Sequence, residues 1–328
     1  MRLDSLWYGS HPLSALLAPL GRLFGFIAVT RRRAYDRGVM QGVKLAVPVI
    51  VVGNVTVGGT GKTPLVVWLV ERLRAMGYRP GVVSRGYGGR ARRWPQNVTA
   101  DGDPAELGDE PVLIARRCGC PVAVAPQRVQ AARRLLAAHD CDVIVCDDGL
   151  QHYALARDLE IAVMDGARRL GNGRCLPAGP LREPSARLQS VDLVVVNGEP
   201  RDGECGMRLS GDLAQSIDDP AMQQSLETWR GRRVHAVAGI GNPARFFADL
   251  RGRGLRVIEH AFPDHHPFQA HELNFGDGLP VLMTEKDAVK CRSFSGGGRW
   301  FVPVTAVPDD VCRQQLDMLL AQVLKFKR

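Results

Sequence analysis

The stretch VTVGGTGKTP, Val55 to Pro64, carries the residue types that cradle a phosphate chain. Glycines let backbone N–H groups approach the phosphates, Lys62 reaches the outer ones and Thr63 can bind Mg²⁺. The usual pattern begins with a glycine five residues before the one preceding the lysine, and here Thr56 holds that place. A threonine fits there if its backbone does not require φ > 0. The expected cradle is therefore Thr56, Val57, Gly58, Gly59, Thr60, Gly61, Lys62 and Thr63.

A second acidic element supports a nucleotide site. CDVIVCDDGLQH places Asp147 and Asp148 at the end of an apolar run, Val143 to Cys146. Carboxylates at the carboxyl end of a parallel strand can face a phosphate-bound magnesium. Gln151 and His152 follow closely enough to line the same crevice. ELGDEP supplies Asp109 and Glu110 ahead of an apolar helical stretch, where the helix dipole alone would favour acids. The arginines of SRGYGGRARR, residues 84–93, either hold phosphate or belong to a solvated loop. LPAGPLREP, residues 176–184, sets Arg182 and Glu183 in a loop stiffened by three prolines.

These groups need elements to hold them. VPVIVVGN, Val47 to Asn54, is a short β-branched run, as expected of a strand buried on both faces. TPLVVWLVERLRAMG reads as a helix with Pro64 in its first turn and Gly77 just past its end. Strand, glycine loop, helix is the context a phosphate loop requires. After Pro200 the pattern becomes a short ribbon and a further αβ unit, in which VHAVAGIGNP runs into RFFADLRGRG. That GIGNP turn lacks a following lysine and reads as tight αβ packing.

Composition bounds the rest. The 328 residues suffice for two compact domains, and 45% hydrophobic with 23% charged residues excludes wholesale disorder. The net charge of +9 suits an acidic partner. Residues 1–45 carry Arg2, Arg22, Arg31, Arg32, Arg33, Arg37 and Lys44 against only Asp4 and Asp36, a surplus of five. That charge flanks the apolar run Pro12 to Val29, so an anionic membrane surface is favoured over nucleic acid. Aromatics at 6% also leave a nucleic-acid binder without a stacking platform.

In the apolar run, Leu13, Leu16, Leu17, Leu20, Phe24 and Ile27 recur at helical spacing, with Ser14, Ala18, Gly21 and Gly25 on a small-residue face. Pro19 and Arg22 interrupt it, which predicts an embedded or interfacial helix; a buried first helix of a soluble domain is the alternative. The eight cysteines form no paired CxxC and are expected as reduced thiols. His260, Asp264, His265, His266 and His271 cluster at spacings that match no zinc pattern.

Together the blocks GNVTVGGTGKTP, VVSRGYGG, GDEP, DDGLQH, LPAGPLREP, FPDHHPF and TEKDAVK resemble the tetraacyldisaccharide 4′-kinase family of lipid A biosynthesis. They run in order from about residue 50 to 290, nearly the whole chain. In that family a substituted first loop position is normal, so Thr56 is no sign of decay. The resemblance implies an α/β fold with a P-loop NTPase-type core and a mainly parallel sheet, a second smaller α/β domain and an N-terminal membrane-associated helix. The corresponding expected divisions are 1–35, 36–200 and 201–328.

The implied reaction moves the γ-phosphate of ATP to the 4′-hydroxyl of a tetraacyldisaccharide 1-phosphate, giving the bisphosphorylated lipid A precursor. By matching motif, Asp109 is implied as catalytic base assisted by His265, with Lys62 and Arg182 on phosphate. Thr63, Asp147, Asp148 and Glu110 are implied around Mg²⁺. The implied location is the cytoplasmic face of the bacterial inner membrane, anchored by the N-terminal helix, with no obligate protein partner. A P-loop switch or chaperone ATPase is the competing class; its lysine just before the glycines is absent, Val57 standing there.

Overall fold

The computed structural model describes residues 3–9, 11–219, 221–294 and 296–325; Arg2, counted in the N-terminal charge, lies outside them. Three helices open the chain: α1 (Leu3–Trp7), α2 (Leu13–Leu16) and α3 (Ala18–Asp36). The alternating part begins with β1 (Val49–Gly53), α4 (Lys62–Ala75), β2 (Pro80–Ser84), β3 (Gln96–Val98), α5 (Pro104–Leu107) and α6 (Asp109–Cys118). It continues through β4 (Val122–Val124), α7 (Arg128–Ala138), β5 (Val143–Asp147), β6 (Leu159–Asp165) and β7 (Leu193–Asn197). Next come β8 (Cys205–Ser210), β9 (Leu213–Ser216), β10 (Gln223–Ser225), β11 (Arg233–Ala238), α8 (Pro243–Gly252) and β12 (Arg256–Ala261). The chain closes with β13 (Val281–Thr284), α9 (Glu285–Cys291), β14 (Arg299–Val302), β15 (Thr305–Pro308) and α10 (Asp310–Lys325).

Two sheets result. The first has nine strands in the order β15-β8-β7-β6-β1-β5-β2-β4-β3, parallel except where the edge strands β3 and β15 pair. The second has six, β10-β9-β14-β13-β11-β12, parallel from β12 to β14 and antiparallel at the β9–β10 ribbon. β1 lies between β5 and β6, and its side chains alternate between two cores: Ile50 and Val52 face α4, Val49 and Val51 the opposite layer with α7. A strand covered on both faces has no polar side to present, which is why its sequence is unbroken valine and isoleucine.

Pro200, the last residue of the expected core, lies between β7 and β8. Yet β8, β15 and α10 belong to the first sheet and its core, where Cys312, Leu316 and Leu320 are buried. The chain therefore crosses between the sheets twice, after β8 and again between β14 and β15. Cys205 and Cys312, expected as thiols, form a disulfide that ties β8 to α10. Separated by 107 residues, they gave no local signal of pairing. The other six cysteines are free and buried.

The N-terminal apolar run is divided. α2 ends at Leu16, and Pro19 sits in the first turn of α3, where a missing N–H is tolerated. The small-residue face docks on the 175–184 loop: Ser14 Oγ donates to the Ala178 carbonyl at 2.9 Å. A Cβ at Gly21 would lie 2.7 Å from the Cys175 carbonyl oxygen, so the helix can approach only with glycine there. The large apolar face is left open, with Leu16, Leu20, Leu23, Phe26 and Ile27 all exposed. No helix among the described residues is long and apolar enough to cross a membrane.

Candidate active site

β1 delivers the glycine loop to the first turn of α4, which begins at Lys62. Gly58 and Gly61 have φ of +109° and +95°, and a Cβ at Gly61 would meet Asn197 Nδ2 at 2.6 Å. Both conformation and space demand glycine there. Thr56 is not among the positive-φ residues and forms a bridge with Leu181, so its position never needed a glycine. The loop is further pinned by the Val57 N–H donating to the Pro180 carbonyl at 2.8 Å and by Asn197 Nδ2 donating to the Thr60 carbonyl at 2.9 Å.

Parallel pairing of Val52 with Asp147 brings the head of β5 beside this loop. The two adjacent aspartates then meet different surroundings. Asp148 accepts from Arg182 Nη1 at 3.0 Å through both oxygens and lies 3.5 Å from Lys62 Nζ. Burial opposes its charge, but Lys62 and Arg182 outweigh burial and hold the carboxyl well below the usual range. Asp147 is fully buried with only the Ser84 hydroxyl, 3.4 Å away, on Oδ2, and its Oδ1 has no partner. Burial, then Glu110 and Asp148, push it up to about 7. An orphaned carboxylate oxygen among acids has the hard-donor chemistry that suits a cation such as magnesium. Among the described residues no three His, Cys, Asp or Glu side chains form a self-contained metal cage. Magnesium does not need one, because it keeps waters and takes substrate phosphate oxygens beside one or two carboxylates.

Opposite the loop stands a second pair. Asp109, the first residue of α6, is buried, and its Oδ1 accepts from the Glu110 N–H at 2.9 Å. His265 Nδ1 lies 3.1 and 3.0 Å from its two oxygens. The predicted Asp109–His265 geometry is thus present. Burial disfavours both charges; the hydrogen bond nevertheless holds Asp109 below and His265 above their ordinary values. Tyr87 covers the imidazole, ring centroids 4.9 Å apart. Asp148 and His265 are two of only three described non-glycine residues with positive φ, at 48° and 60°. Backbone strain of this kind concentrates at sites where geometry is over-determined.

One cavity of about 1010 Å³ connects these groups. Gly58 to Thr63, Glu110, Asp148, Arg182 and His265 all line it. So do Gln151 and His152, as expected; His152 Nε2 accepts the Arg128 N–H at 3.1 Å, and burial and nearby arginines push its pKa down to about 4. The same cavity reaches Phe24, Ile27 and Arg31 of α3. The GIGNP turn lies across from the phosphate loop, where a Cβ at Gly241 would meet Gly59 N at 2.9 Å. Arg85 lines the cavity as well, while Arg92 and Arg93 of its loop are exposed.

Two site groups had no individual sequence signal. Lys286 of α9 places Nζ 3.1 Å from Glu110 Oε1 and 3.4 Å from His265 Nε2. Ser84, closing β2, brings its hydroxyl to 3.4 Å from Asp147 Oδ2. Lys286 stands within TEKDAVK, a quoted block, yet nothing local tells which of its charges turns toward the site.

Residues 13–322 match the family model described as Tetraacyldisaccharide-1-P 4′-kinase. A protein named Tetraacyldisaccharide 4′-kinase from Alkalilimnicola ehrlichii is 57% identical over 309 residues, covering 94% of this chain and 92% of its own length. One of the same name from Pseudomonas aeruginosa is 49% identical over 325 residues, 98% of each chain. Among solved structures, LpxK from Aquifex aeolicus in complex with ATP superimposes with a TM-score of 0.79 at 28% identity, covering 95% of this chain and 99% of that one.

Proposed function

The chain belongs to the tetraacyldisaccharide-1-P 4′-kinase family, and on that premise we propose how its residues divide the reaction. The protein is an ATP-dependent lipid kinase that transfers the γ-phosphate to the 4′-hydroxyl of a tetraacyldisaccharide 1-phosphate, giving the bisphosphorylated lipid A precursor. In our reading the Thr56–Thr63 loop binds the triphosphate with its backbone N–H groups. Lys62, held at 3.5 Å by Asp148 here, turns to the outer phosphates. Arg182 neutralises the spreading charge of the transferring group.

Asp109, kept ionised, accepts the proton of the attacking hydroxyl, and His265 orients it by donating its Nδ1–H. Thr63, Asp147, Asp148 and Glu110 would hold Mg²⁺, which when bound neutralises phosphate charge. The orphaned Asp147 Oδ1 supports that donor set. Residues 1–35 act as the membrane-associated segment, 36–200 as the kinase core and 201–328 as the part that closes over the site, although β8 and β15 join the core sheet and α10 packs in its core.

The observation that carries the lipid acceptor is the shared cavity: it runs from the phosphate loop to the apolar helix α3. A sugar hydroxyl can reach Asp109 while its acyl chains stay against the exposed leucines in an anionic bilayer surface. We place the enzyme on the cytoplasmic face of the inner membrane, with α3 in the interfacial plane. A switch ATPase would have no use for that route. Incubation of the purified chain with ATP and the disaccharide lipid is expected to yield, by mass spectrometry, an acceptor bearing one added phosphoryl group at the 4′ position. ATP hydrolysis independent of acceptor, with no phospholipid product, would overturn the reading.

A further inference from the structure

Lys286 lies at the meeting point of four groups from two sheets. Its Nζ is 3.1 Å from Glu110 Oε1, 3.3 Å from Asp264 Oδ1, 3.4 Å from His265 Nε2 and 3.9 Å from Asp109 Oδ2. Burial disfavours its charge, but Glu110, Asp109 and Asp264 outweigh burial and keep the ammonium more basic than an ordinary lysine. The rest of TEKDAVK fixes the helix that carries it. The Thr284 hydroxyl donates to Asp287 Oδ2 at 2.6 Å, Lys290 lies 2.8 Å from Asp287 Oδ1, and the Gly239 N–H donates to Asp287 Oδ2 at 2.9 Å. With Asp287 and Lys290 turned inward, Glu285 and Lys286 face the first sheet. Glu285 meets Arg117 at 3.1 Å and Lys286 meets Glu110, two ion pairs of opposite polarity across the α6–α9 contact. A reversed pair of this kind admits one seating and penalises the others.

The contact with His265 has a further consequence. An ammonium has donors and no lone pair, so the imidazole nitrogen facing it must be the acceptor. In neutral His265 that nitrogen is Nε2, and the hydrogen therefore sits on Nδ1, where Asp109 accepts it. Asp264, gripped by the same ammonium, accepts the His265 N–H at 3.1 Å and so supports the left-handed backbone that aims the ring.

We infer that Lys286 is a positioning residue for phosphoryl transfer, fixing the tautomer and seating of His265 against Asp109 when the second sheet docks on the first. This rests on the reading of Asp109 and His265 as the proton-accepting pair. The test uses the full chain with Lys286→Met and Lys286→Arg. Lys286→Met is expected to lower kcat about ten- to a hundredfold with KM for ATP within about twofold, and the arginine to recover most of the loss. In ¹⁵N-histidine spectra, wild-type His265 is expected as the Nδ1–H tautomer and the methionine variant as a mixture. The double variant Lys286→Met with His265→Ala should fall no further than His265→Ala alone.

Wild-type kcat in the methionine variant, an unmoved tautomer, or losses that multiply in the double variant would each overturn the inference. If Lys286→Met fails to fold, Lys286→Gln replaces it with the same expectations. A His265→Ala variant that turns over at the wild-type rate sinks the dyad reading itself, whereas a slowed one whose loss multiplies with that of Lys286 sinks only the positioning role.

Discussion

Asp148, half-buried at the cavity wall, and Asp109, buried behind it, are both carboxylates paired with basic side chains, but they are furnished in different ways. Asp148 draws Lys62 and Arg182 from α4 and the 175–184 loop of the same unit, within 86 and 34 residues of chain. Asp109 draws His265 and Lys286 from the other sheet, 156 residues and more away. The phosphate end of the site is thus complete within one unit. The end proposed to accept the proton is assembled only while the two units are seated together. Changes at the first should damage transfer at any domain arrangement; changes at the second should act on turnover more than on nucleotide grip.

The sharpest way to break this contrast is at the phosphate end. Lys62→Ala is expected to lower turnover by about a thousandfold or more, since charge on the transferring group loses its closest fixed cation. The variant should keep a cooperative thermal unfolding curve. Comparable turnover in the variant would remove the loop from the chemistry. At the other end, Asp109→Ala should lower kcat about a hundred- to a thousandfold with little change in KM for ATP, and His265→Ala about ten- to a hundredfold. A rise in KM for ATP alone, at unchanged kcat, would place both residues in binding.

What the sequence disclosed follows the same division. β1, the glycine loop and α4 were legible because strand period, loop glycines and helix start are contiguous. The head of β5 was legible for a related reason: an apolar run ending in two acids needs no distant partner to be recognised. Asp109 and His265 stood in motifs but had to be joined through family resemblance, since no local pattern links residues so far apart. Lys286 was missed individually, because the four charges in TEKDAVK look alike until β11 and α6 select which turns inward and which outward. The Cys205–Cys312 bridge and the return of β8 and β15 to the first sheet were hidden likewise; strand partners are chosen by tertiary packing.

A third prediction sharpens the contrast between the neighbours Asp147 and Asp148. The folded Asp147 titrates at about 7 against 3.8 for an unperturbed carboxyl. Between those values the folded chain holds a proton that the unfolded chain has lost, so stability falls as pH rises through the window, and the penalty is complete above it. Asp147→Asn never ionises. It should raise the melting temperature of the metal-free protein by a few degrees at pH 8, with the gain vanishing near pH 4, while lowering activity. An unchanged or lowered melting temperature at pH 8 would mean that Asp147 carries no such penalty and that the orphaned oxygen is not a prepared cation seat. Asp148 is predicted to behave oppositely: its charge is already balanced by Lys62 and Arg182, so neutralising it should destabilise.

The smallest expected effect lies furthest from both ends, on α3. Leu23 is exposed at 56% and Phe26 at 68%, although the opposite face of the helix is packed tightly enough to require glycine at Gly21 and to leave Gly25 buried against Cys175. A helix whose small residues are buried and whose large apolar ones are open has inverted the usual solution for water, and the bilayer interface proposed for it would resolve the inversion. Withdrawing one leucine side chain into an apolar phase stabilises by about 1.5–3 kcal/mol when burial is complete, and by less at an interface. Leu23→Gln should therefore weaken sedimentation with anionic vesicles several-fold and raise KM for the lipid acceptor to a similar degree. Its kcat at saturating lipid should stay near wild type, because neither Lys62 nor Asp109 touches the helix face that changes. Vesicle binding equal to wild type for Leu23→Gln and Phe26→Gln together would mean that this open face serves another surface than lipid.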